Sequence, residues 1–488
     1  MRLKFSGKVN SLYVQSLCMM FFRGEKFPEI EENPKGSISV DLSNRENGIF
    51  VKVSLEYEGK MACSEHFEEI RENITVERTA KIATGHAVFR ACSELTGHLP
   101  PWGLLTGIRP SVVAGELIRE IGAERAVDAL INRYLVSSEK AYLAVEVAQN
   151  EALILDKYGD DTCSIYVSIP FCPTRCTYCS FISYATKKLF ELMPQYVERI
   201  IKDIYTTFDI IKKVGLRVAT VYIGGGTPTT LEPVQLERVL SAIKACFGDN
   251  SLDEFTVEGG RPDTITNEKL EILKKYGVDR ISVNPQSLND DVLLKIGRRH
   301  TVKDFFEAYD LVKRSEIKIV NTDLIAGLDG DSIESFKATV NRVVELSPEN
   351  VTVHAFSVKK SAQILQDDRS IYNRDGDYAV ESVDFAYNAL KANGYIPYYM
   401  YRQKNTISDL ENVGYAKPGT FCTYNVLMMG DGHTVFGVGA GATTKLVKKI
   451  DGKPEILRIF SQKYPYEYLQ DNQNIEEKVL KFFERRTE

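Results

Sequence analysis

Three cysteines in one short segment have the spacing of an iron–sulfur loop. The segment is YVSIPFCPTRCTYCSF (166–181), in which Cys172, Cys176 and Cys179 form a C-x3-C-x2-C pattern. Three thiolates from one loop can hold three irons of a cubane cluster, and the fourth iron then lacks a protein ligand. An open coordination position distinguishes a site of chemistry from a closed structural site. The segment therefore predicts a 4Fe–4S cluster that can bind a further ligand.

Two other interpretations of the cysteine segment are open at this point. A zinc site would need four ligands, commonly from paired short spacings. The sequence has no second C-x2-C, and neither His300 nor His354 has a second ligand nearby along the chain. The other alternative is a loop with three buried thiols and no metal. The spacing and the ligand count both favour the cluster.

Glycines and a carboxylate follow the next two predicted strands. The segment GGGTPT (224–229) ends the second strand, where glycine lets backbone amides approach a ligand. Glu258 ends the third strand, where a buried carboxylate needs a cationic or hydroxyl-bearing partner. A ligand's amino group or ribose would serve, and a salt bridge to Arg261 is the alternative.

Further polar residues accompany the later strands. Gln286 follows the fourth strand, Arg298 comes about one helix later, and Asp323 lies inside an apolar run. For Arg298 the alternative is a solvated cation at a helix end. For Asp323 the alternative is a structural carboxylate that holds a loop. Each of these residues is predicted at the end of the sheet where ligands bind.

The region 161–360 has the pattern of a scaffold for these residues. Apolar runs are predicted strands, at 164–171, 217–224, 254–258, 280–284, 318–325 and 350–356. Amphipathic stretches between them are predicted helices, at 189–213, 233–247, 267–276, 303–314 and 332–346. The alternation indicates βα units and a parallel sheet. Six strands predict a partial barrel, with an open doubly wound sheet as the alternative, and both bind ligands at the C-terminal ends of strands.

The flanking regions differ from this pattern. Region 1–160 has predicted strands at 3–22, 37–42 and 49–57, followed by predicted helices at 80–95, 112–121 and 141–155. Region 361–488 has a predicted helix at 378–393, an extended segment at 394–402 and a predicted helix at 474–486. The chain therefore divides into three predicted domains, with limits 1–160, 161–360 and 361–488.

Composition excludes several classes of protein. With 61 Lys and Arg against 67 Asp and Glu, the net charge of −6 offers no broad basic field for nucleic acid. Nine cysteines form an odd set in a long chain, which predicts a reducing compartment. No apolar run reaches the roughly 18 residues of a membrane span, and the N-terminus lacks a signal-peptide cleavage pattern. We therefore expect no membrane segment, no nucleic-acid partner and a cytoplasmic location.

The motifs together resemble the oxygen-independent coproporphyrinogen III oxidase family of the radical S-adenosylmethionine superfamily. Over 166–357 they occur in the family's order: Y-x-x-I-P-F-C-x3-C-x-Y-C, GGGTPT, VEGGRPD, SVNPQS and DLIAGL. PWGLLTGIRPS (101–111) and YRQKNTISDLENVGYAKPG (401–419) are similar to the HemZ-type coproporphyrinogen dehydrogenase branch. The resemblance implies an α/β fold: a partial (β/α)6 barrel with an α+β N-terminal domain and a smaller C-terminal domain.

The resemblance also implies the cofactors and their contacts. One 4Fe–4S cluster would be held by Cys172, Cys176 and Cys179, together with one or two molecules of S-adenosylmethionine. The contacts implied by matching positions are Tyr166, Tyr178, Gly225 and Glu258 for the first molecule, Gly226, Thr227, Gln286, Arg298 and Asp323 for a second, and Ala355 and Thr443 as further cofactor contacts.

The implied activity is oxidative decarboxylation of coproporphyrinogen III to protoporphyrinogen IX through a 5′-deoxyadenosyl radical, in haem biosynthesis. The implied partners are this tetrapyrrole and a low-potential electron donor such as flavodoxin or ferredoxin. The substrate carries four carboxylates, and the arginines that would orient it are Arg261, Arg298, Arg299 and Arg402.

Two positions depart from the family pattern. Ser168 replaces a common His, and Phe181 replaces a further Cys, as in related branches that include haem-trafficking proteins. The alternatives are therefore a tetrapyrrole or haem carrier, and a radical methyltransferase or ring-opening enzyme that acts on a tetrapyrrole. The chain lacks the H-N-x-x-Y-W type of segment usual in haem-trafficking relatives, since Trp102 is its only tryptophan. Modification of tRNA fits the cysteine motif alone and is disfavoured by the charge balance.

Overall fold

The computed structural model describes residues 1–27, 34–71, 74–179, 185–248, 251–357, 377–403, 406 and 409–484. The chain folds into two compact units. The first contains 1–149, 368–380 and 400–411, and the second contains 150–367, 381–399 and 412–488. Neither unit is one continuous stretch of sequence. The three-domain division at 160 and 360 stays a prediction.

The first unit contains a four-stranded sheet, with strand order β1-β2-β3-β4 among the described residues. The strands are β1 (Arg2–Ser6), β2 (Gly36–Arg45), β3 (Gly48–Tyr57) and β4 (Lys60–Glu69). Its helices are α1 (Ser11–Phe21), α2 (Val76–Thr96), α3 (Pro110–Ile121), α4 (Ala123–Tyr134) and α5 (Ser138–Leu155). The predicted strands at 37–42 and 49–57 and the three predicted helices are present. β4 and α4 were not predicted.

The strand predicted over 3–22 is wrong. Only β1 is extended, and α1 follows it because the Asn10 side chain accepts a hydrogen bond from the backbone N–H of Tyr13 and so caps the helix. Tyr13, Val14, Leu17 and Cys18 are buried on one face, a spacing of three and four residues that suits a helix. Apolar and polar residues in this segment fit both the alternation of a strand and the spacing of a helix. The Asn10 cap stabilises the helix.

The second unit is built on a sheet that has eleven strands among the described residues, in the order β11-β12-β10-β9-β8-β7-β6-β5-β13-β14-β15. The first six in the chain are β5 (Thr162–Ile169), β6 (Arg217–Gly225), β7 (Glu254–Glu258), β8 (Arg280–Ser282), β9 (Ile319–Ala326) and β10 (Asn350–Ala355). The rest are β11 (Ile396–Arg402), β12 (Glu411–Ala416), β13 (Thr434–Val438), β14 (Thr443–Ile450) and β15 (Lys453–Phe460). β11 and β12 contribute residues to both units.

The strands β5 to β10 run parallel to one another, each beside the next in the chain. This confirms the predicted partial (β/α)6 barrel, and the sheet is not a closed barrel. β13 then adds to β5 in parallel, whereas β12 adds to β10 in antiparallel fashion. The C-terminal region therefore extends both edges of the six-stranded sheet.

Helices follow the parallel strands as the sequence predicts. They are α6 (Lys187–Phe190), α7 (Met193–Lys213), α8 (Pro233–Phe247), α9 (Asn267–Lys275), α10 (Asp290–Lys295), α11 (Val302–Arg314) and α12 (Ile333–Leu346), with α13 (Asp377–Ala392), α14 (Thr423–Met429), α15 (Pro465–Gln470) and α16 (Ile475–Glu484) toward the C-terminus. Local sequence sets their starts. Pro233 is the first residue of α8, within a capping box formed by Glu232 and Gln235, and Thr301 caps α11.

The core of the second unit lies between the sheet and these helices. Val221, Ile223 and Val257 from the strands and Leu236 and Val239 from α8 are all fully buried. Strands covered in this way are apolar on successive residues, which is the pattern seen in the sequence. None of the helices among the described residues is long and apolar enough to cross a membrane.

A buried polar cluster joins two distant segments of the first unit. The indole Nε1 of Trp102 donates to Oε2 of Glu411 at 2.8 Å, and Nζ of Lys140 lies 2.7 Å from Oε1. All three side chains are buried. The hydrogen bond from Trp102 and the ion pair with Lys140 compensate the Glu411 carboxylate for the loss of its hydration. The segments 101–111 and 401–419, singled out in the sequence, therefore meet through this carboxylate.

Candidate functional site

The predicted site residues of the second unit gather at the C-terminal ends of the parallel strands. Tyr166 lies on β5, Gly225 ends β6, Glu258 ends β7 and Asp323 lies on β9. Adjacent strands are in register, so these ends form one edge of the sheet. Loops at this edge are where open and barrel-like α/β sheets bind ligands.

The cysteine loop is seated on the glycine segment after β6. The backbone N–H of Gly226 donates to the Ile169 carbonyl at 2.8 Å, and that of Thr227 donates to the Phe171 carbonyl at 2.8 Å. The Oγ1 of Thr227 lies 3.4 Å from the Sγ of Cys172. These contacts place the first cysteine against the second strand's loop.

Gly226 has no room for a side chain at this seat. A Cβ there would lie 2.6 Å from the Phe171 carbonyl oxygen and 3.0 Å from the Sγ of Cys172. Such distances are well inside van der Waals contact, so backbone or sulfur would have to move. The close approach of the cysteine loop therefore requires glycine at position 226.

The three cysteines all belong to the loop that follows β5, and their ligation of a cluster stays a prediction. The N–H of Cys179 donates to the Cys176 carbonyl at 3.1 Å. Burial raises the pKa of the Cys172 thiol to about 11, and the charges of Cys179 and Cys176 add to the rise. Three thiolates so close repel one another unless a cationic group neutralises them, and iron supplies that charge. Among the described residues, no group of three or more His, Cys, Asp or Glu side chains, the three cysteines included, is arranged to hold a metal ion.

Glu258 is half-buried at the end of β7 and finds its partner within the protein. The Tyr222 hydroxyl donates to its Oε1 at 2.5 Å. Burial raises the pKa of Glu258 to about 7; hydrogen bonds from Tyr222 and the Gly225 backbone oppose the rise, and the charge of Asp323 adds to it. The partner within the protein is thus a tyrosine, which the sequence analysis did not name. Arg261, the predicted alternative, instead pairs with Asp263 at 2.9 Å.

Three tyrosine rings stack beside Glu258. The ring centroids form a triangle: Tyr222 lies 6.1 Å from Tyr166 and 4.5 Å from Tyr424, and Tyr166 lies 6.3 Å from Tyr424. Tyr424 lies near the N-terminus of α14, and no sequence motif pointed to it. The stack forms an aromatic wall along β5 and β6.

Asp323 is held as a carboxylate by amides. Nδ2 of Asn284 donates to Oδ2 at 2.8 Å, and Nδ2 of Asn321 donates to Oδ1 at 2.7 Å. Burial raises the pKa of Asp323, but the hydrogen bond and positive charge of His354 outweigh it and the net shift is downward. Asp323 and Glu258 therefore form a pair of carboxyls with opposed pKa shifts at one edge of the sheet.

Gln286 and Arg298 connect the ends of β7, β8 and β9. Gln286 has a positive φ of 68°, and its N–H donates to the Asp323 carbonyl at 3.1 Å. The guanidinium of Arg298 donates to the carbonyls of Asn284 and Gly260, at 2.6 and 3.3 Å. Because Arg298 is buried, the alternative of a solvated helix-end cation is wrong.

The remaining predicted contacts are more scattered. Tyr178 lies in the cysteine loop with its ring 6.4 Å from that of Phe356, after β10. Ala355 ends β10, and its N–H donates to Oδ1 of Asn412 at 3.1 Å. Thr443 begins β14, which β13 separates from β5 in the sheet. Its cofactor contact stays a prediction, as do those of the other positions.

A cavity of about 950 Å³ lies beside the cysteine loop. The polar residues that line it include Arg175, Arg298, Arg299, His300, Asp290 and Asp291. His300 is 3% exposed, and neither ring nitrogen has a hydrogen-bond partner among the described residues. Burial and the charges of Arg298 and Arg261 lower the pKa of His300 to about 3. The cavity thus combines three arginines and an unsatisfied neutral imidazole with the carboxylates of Asp290 and Asp291.

The four arginines predicted to orient carboxylates differ in their surroundings. Arg261 and Arg298 are buried in hydrogen bonds of the fold, whereas Arg299 is exposed at the cavity. Arg402 belongs to the first unit, where its guanidinium donates to the Leu105 and Asp409 carbonyls. Of the four, Arg299 is the one suited to meet a ligand from solvent.

The residues that sequence reasoning missed are Tyr222, Tyr424, His354 and Asn412. Tyr222 is within VYIGGGTPT, and its position one strand away from Glu258 required the register of β6 and β7. His354 was weighed only as a zinc ligand. Asn412 and Tyr424 reach the site from the C-terminal region, where no pattern indicated proximity.

A comparison with protein families matches residues 166–343 to the radical SAM superfamily. The chain is 32% identical over 479 residues to the oxygen-independent coproporphyrinogen-III oxidase-like protein HemZ of Bacillus subtilis, covering 97% of this chain and 95% of the relative. It is 30% identical over 284 residues to the haem chaperone HemW of the same organism, covering 57% of this chain and 70% of that relative.

Among solved structures, coproporphyrinogen III oxidase (HemN) from Escherichia coli, described as a radical SAM enzyme, has a similar fold. The TM-score is 0.52 at 23% sequence identity, over 70% of this chain and 73% of that one. Radical SAM proteins use a 4Fe–4S cluster and S-adenosylmethionine, which are the cofactors that the resemblance in sequence implied.

Proposed function

Because the chain belongs to the radical S-adenosylmethionine superfamily, in the family of the oxygen-independent coproporphyrinogen-III oxidase-like protein HemZ, we propose that it decarboxylates coproporphyrinogen III. Two propionate side chains become the vinyl groups of protoporphyrinogen IX. Each propionate loses a hydrogen atom from its β-carbon, carbon dioxide and one electron. The match over 97% of the chain carries this proposal, since it includes both segments outside the radical SAM region.

The residues at the edge of the sheet have the following proposed roles. Cys172, Cys176 and Cys179 ligate the cluster. Gly225 and Glu258 hold the amino-acid part of one S-adenosylmethionine, and Glu258 becomes a carboxylate when the ammonium group arrives. When bound, the cluster and S-adenosylmethionine supply a 5′-deoxyadenosyl radical that takes the hydrogen atom. Tyr166 and Tyr178 also contact this first molecule. The proposed contacts to a second molecule are Gly226, Thr227, Gln286, Arg298 and Asp323, and Ala355 and Thr443 are further cofactor contacts.

The substrate's carboxylates are proposed to meet the cavity beside the cysteine loop. Arg175 and Arg299 line it at the surface, and the unsatisfied nitrogens of His300 lie deeper. An arginine fork binds a carboxylate through two parallel hydrogen bonds, and a neutral imidazole adds one donor. A propionate here would anchor the tetrapyrrole near the cluster while another propionate reacts.

The test is product analysis by mass spectrometry after anaerobic incubation of the reconstituted protein with coproporphyrinogen III, S-adenosylmethionine and a reductant. We expect loss of one and then two carboxyl groups. The Cys172→Ser variant should give none, and Cys246→Ser, outside the motif, should behave as the unaltered protein. Cleavage of S-adenosylmethionine with no decarboxylated product would refute the substrate while leaving the radical chemistry intact.

A second candidate function is a haem or tetrapyrrole carrier, which the similarity to haem chaperone HemW favours. Titration with haem separates the two functions. Tight stoichiometric binding without turnover of coproporphyrinogen III supports the carrier. A methyltransferase or ring-opening activity on a tetrapyrrole would appear in the same mass spectra as an added methyl group or a linear product.

The proposed partners follow from the chemistry. Reduction of the cluster calls for a low-potential donor such as flavodoxin or ferredoxin, and the reducing compartment proposed for the protein is the cytoplasm. Reduction of the reconstituted cluster by purified flavodoxin, followed by electron paramagnetic resonance, tests the first point.

A further inference from the structure

A cavity of about 370 Å³ lies within the first unit. Its volume is in the range of roughly 300–1,000 Å³ that is usual for small-molecule sites. All of its lining residues belong to 1–149, and none of them is a proposed contact of the cluster or of S-adenosylmethionine. One wall comes from the segment PWGLLTGIRPS (101–111), to which the proposed function assigns no role.

This wall is fixed against the end of α4. The backbone N–H of Leu104 donates to the Tyr134 carbonyl at 2.7 Å, and the Tyr13 hydroxyl donates to the Leu104 carbonyl at 3.3 Å. Gly103 has a positive φ of 52°, and a Cβ there would collide with the carbonyl oxygens of Tyr134 and Leu135. The cavity therefore has its shape before any ligand arrives.

The Tyr134 hydroxyl lines the cavity with an unused hydrogen. Tyr134 is 7% exposed, and Nη2 and Nε of Arg78 donate to its oxygen at 2.8 and 3.3 Å. A phenol hydroxyl also carries one hydrogen to donate. That hydrogen has no acceptor in the part of the chain that the structure describes, although buried donors in proteins are normally paired. The hydroxyl therefore presents a donor to an acceptor atom inside the cavity.

Three cations line the same cavity. The Arg78 side chain is 33% exposed, Oε2 of Glu116 lies 3.8 Å from its Nη2, and its Nη1 makes no hydrogen bond to a described residue. Nζ of Lys81 lies 4.8 Å from the centre of the Tyr13 ring, and Arg109 is the third cation. A guanidinium and a phenol are suitable donors for the oxygens of a carboxylate or a phosphate.

Two carboxylates also line the cavity, those of Glu77 and Glu116. Glu77 is exposed in the first turn of α2, where the helix dipole stabilises its charge. The Glu116 side chain is 44% exposed. These residues would favour a ligand with an ammonium group. The buried donor of Tyr134 and the excess of cations favour an anion instead.

Much of the remaining lining is apolar, and it comes from Ile82, Leu104, Leu105, Pro110 and Val113. We propose that this cavity binds a small molecule in which an oxyanion group, carboxylate or phosphate, is joined to an apolar or aromatic body. The oxyanion accepts from Tyr134 and Arg78, and the body packs on the apolar side chains. This site is additional to the proposed decarboxylation and does not depend on it.

The test is calorimetric titration of the full chain with four probes that share a phenyl ring. Phenylacetate and phenyl phosphate are anions, phenylacetamide is neutral and phenethylamine is a cation. We expect saturable binding of at least one anion, and roughly tenfold weaker binding or none of the other two classes. The tighter of the two anions identifies the group that the site takes. The proposal is overturned if neither anion binds saturably, or if phenylacetamide or phenethylamine binds as well as the anions.

Two variants place the binding in this cavity. Tyr134→Phe keeps the ring and removes the donor, and Arg78→Gln removes the guanidinium. Each should weaken anion binding by roughly tenfold or more, as expected for loss of a hydrogen bond to a charged group. The matched controls are Tyr142→Phe and Arg125→Gln, which alter exposed residues outside the cavity and should leave the affinity unchanged.

Unaltered affinity in both variants would contradict the proposal. If circular dichroism shows that Tyr134→Phe does not fold, Arg78→Gln decides alone, since Arg78 is partly exposed. Arg299→Gln, in the cavity beside the cysteine loop, should not affect the titration. A loss of affinity in Arg299→Gln equal to that in Arg78→Gln would assign the anion to that other cavity and overturn the proposal.

Discussion

The Tyr222 hydroxyl donates to Oε1 of Glu258 at 2.5 Å, and Gly224 leaves the space that the carboxyl occupies. A Cβ at position 224 would lie 3.0 Å from Oε2 and 2.9 Å from the Tyr222 ring. Gly224 therefore leaves room for the Glu258 carboxylate, and Gly226 leaves room for the cysteine loop. One segment of three glycines thus brings together the two parts of the site.

Replacing Tyr222 with Phe should weaken binding of S-adenosylmethionine at neutral pH. The hydroxyl lowers the pKa of Glu258, so its loss raises that pKa further above its ordinary value. The carboxylate, which a cationic amine requires, then forms only at higher pH. A hydrogen bond to a charged group contributes about 1.5–3 kcal/mol, so we expect roughly tenfold weaker binding or more.

Calorimetry across a range of pH checks this expectation. The affinity of Tyr222→Phe should recover as the pH rises, because the ionised fraction of a carboxyl grows with pH. Tyr424→Phe keeps the stacked ring without altering the bond to Glu258 and serves as the control. Equal loss at every pH would indicate a packing effect instead.

Replacing Gly226 with Ala should impair assembly of the cluster. The added methyl group would meet the Phe171 carbonyl and the Cys172 sulfur, and the cysteine loop would have to shift. We expect iron and sulfide content after anaerobic reconstitution to fall well below that of the unaltered protein. Gly432→Ala is the matched control, since a Cβ at position 432 meets nothing within 4 Å. Full cluster content in Gly226→Ala would contradict the proposed need for close contact between Gly226 and the cysteine loop.

Replacing Arg299 with Gln should raise the KM for coproporphyrinogen III and leave kcat nearly unchanged. Arg299 is exposed at the cavity, so it would act in binding and not in the radical step. An arginine–carboxylate contact at a partly solvated site suggests an increase of roughly three- to tenfold. Lys303→Gln, a highly exposed cation that does not line the cavity, is the control. A fall in kcat with constant KM would assign Arg299 a different role.

Replacing Lys140 with Met should destabilise the protein strongly. Glu411 is fully buried, and Lys140 is its ion-pair partner at 2.7 Å. Removing one member of a buried pair leaves an uncompensated charge and costs about 3–5 kcal/mol. Urea unfolding followed by circular dichroism measures the change. The Lys303→Met control removes an exposed pair with Glu307 and should change stability little.

Sequence patterns predicted the six parallel strands and the helices between them because every strand–helix repeat has the same pattern. An apolar run is covered by an amphipathic helix, and Pro or Thr near a boundary marks the helix start, as at Pro233 and Thr301. The same rules failed at α1, where alternation and helical spacing overlap. β11 lies within the predicted extended segment 394–402, but β12 to β15 were not predicted. Their places in the sheet depend on partners far away in the chain, as when β13 pairs with β5.

The site was predicted where one motif carries the chemistry and was missed where partners meet across strands. Cys172 and Gly226 lie in segments whose residue types and spacing are typical of cluster-binding and ligand-binding loops. Tyr222 and His354 are ordinary residues in β-rich segments, and their importance comes from the residue on the adjacent strand. Register between β6 and β7, and between β9 and β10, supplies that information.

The divided first unit has a consequence for synthesis. Trp102 and Glu411 are 309 residues apart, so the ribosome makes most of the second unit before the carboxylate that joins Trp102 and Lys140 exists. At translation rates of about 5–20 residues per second, that interval is roughly 15–60 s. During it the nascent N-terminal unit holds Lys140 without this carboxylate, and chaperone contact or delayed closure is expected at that stage. The first unit can therefore be completed only after most of the second unit has been synthesised.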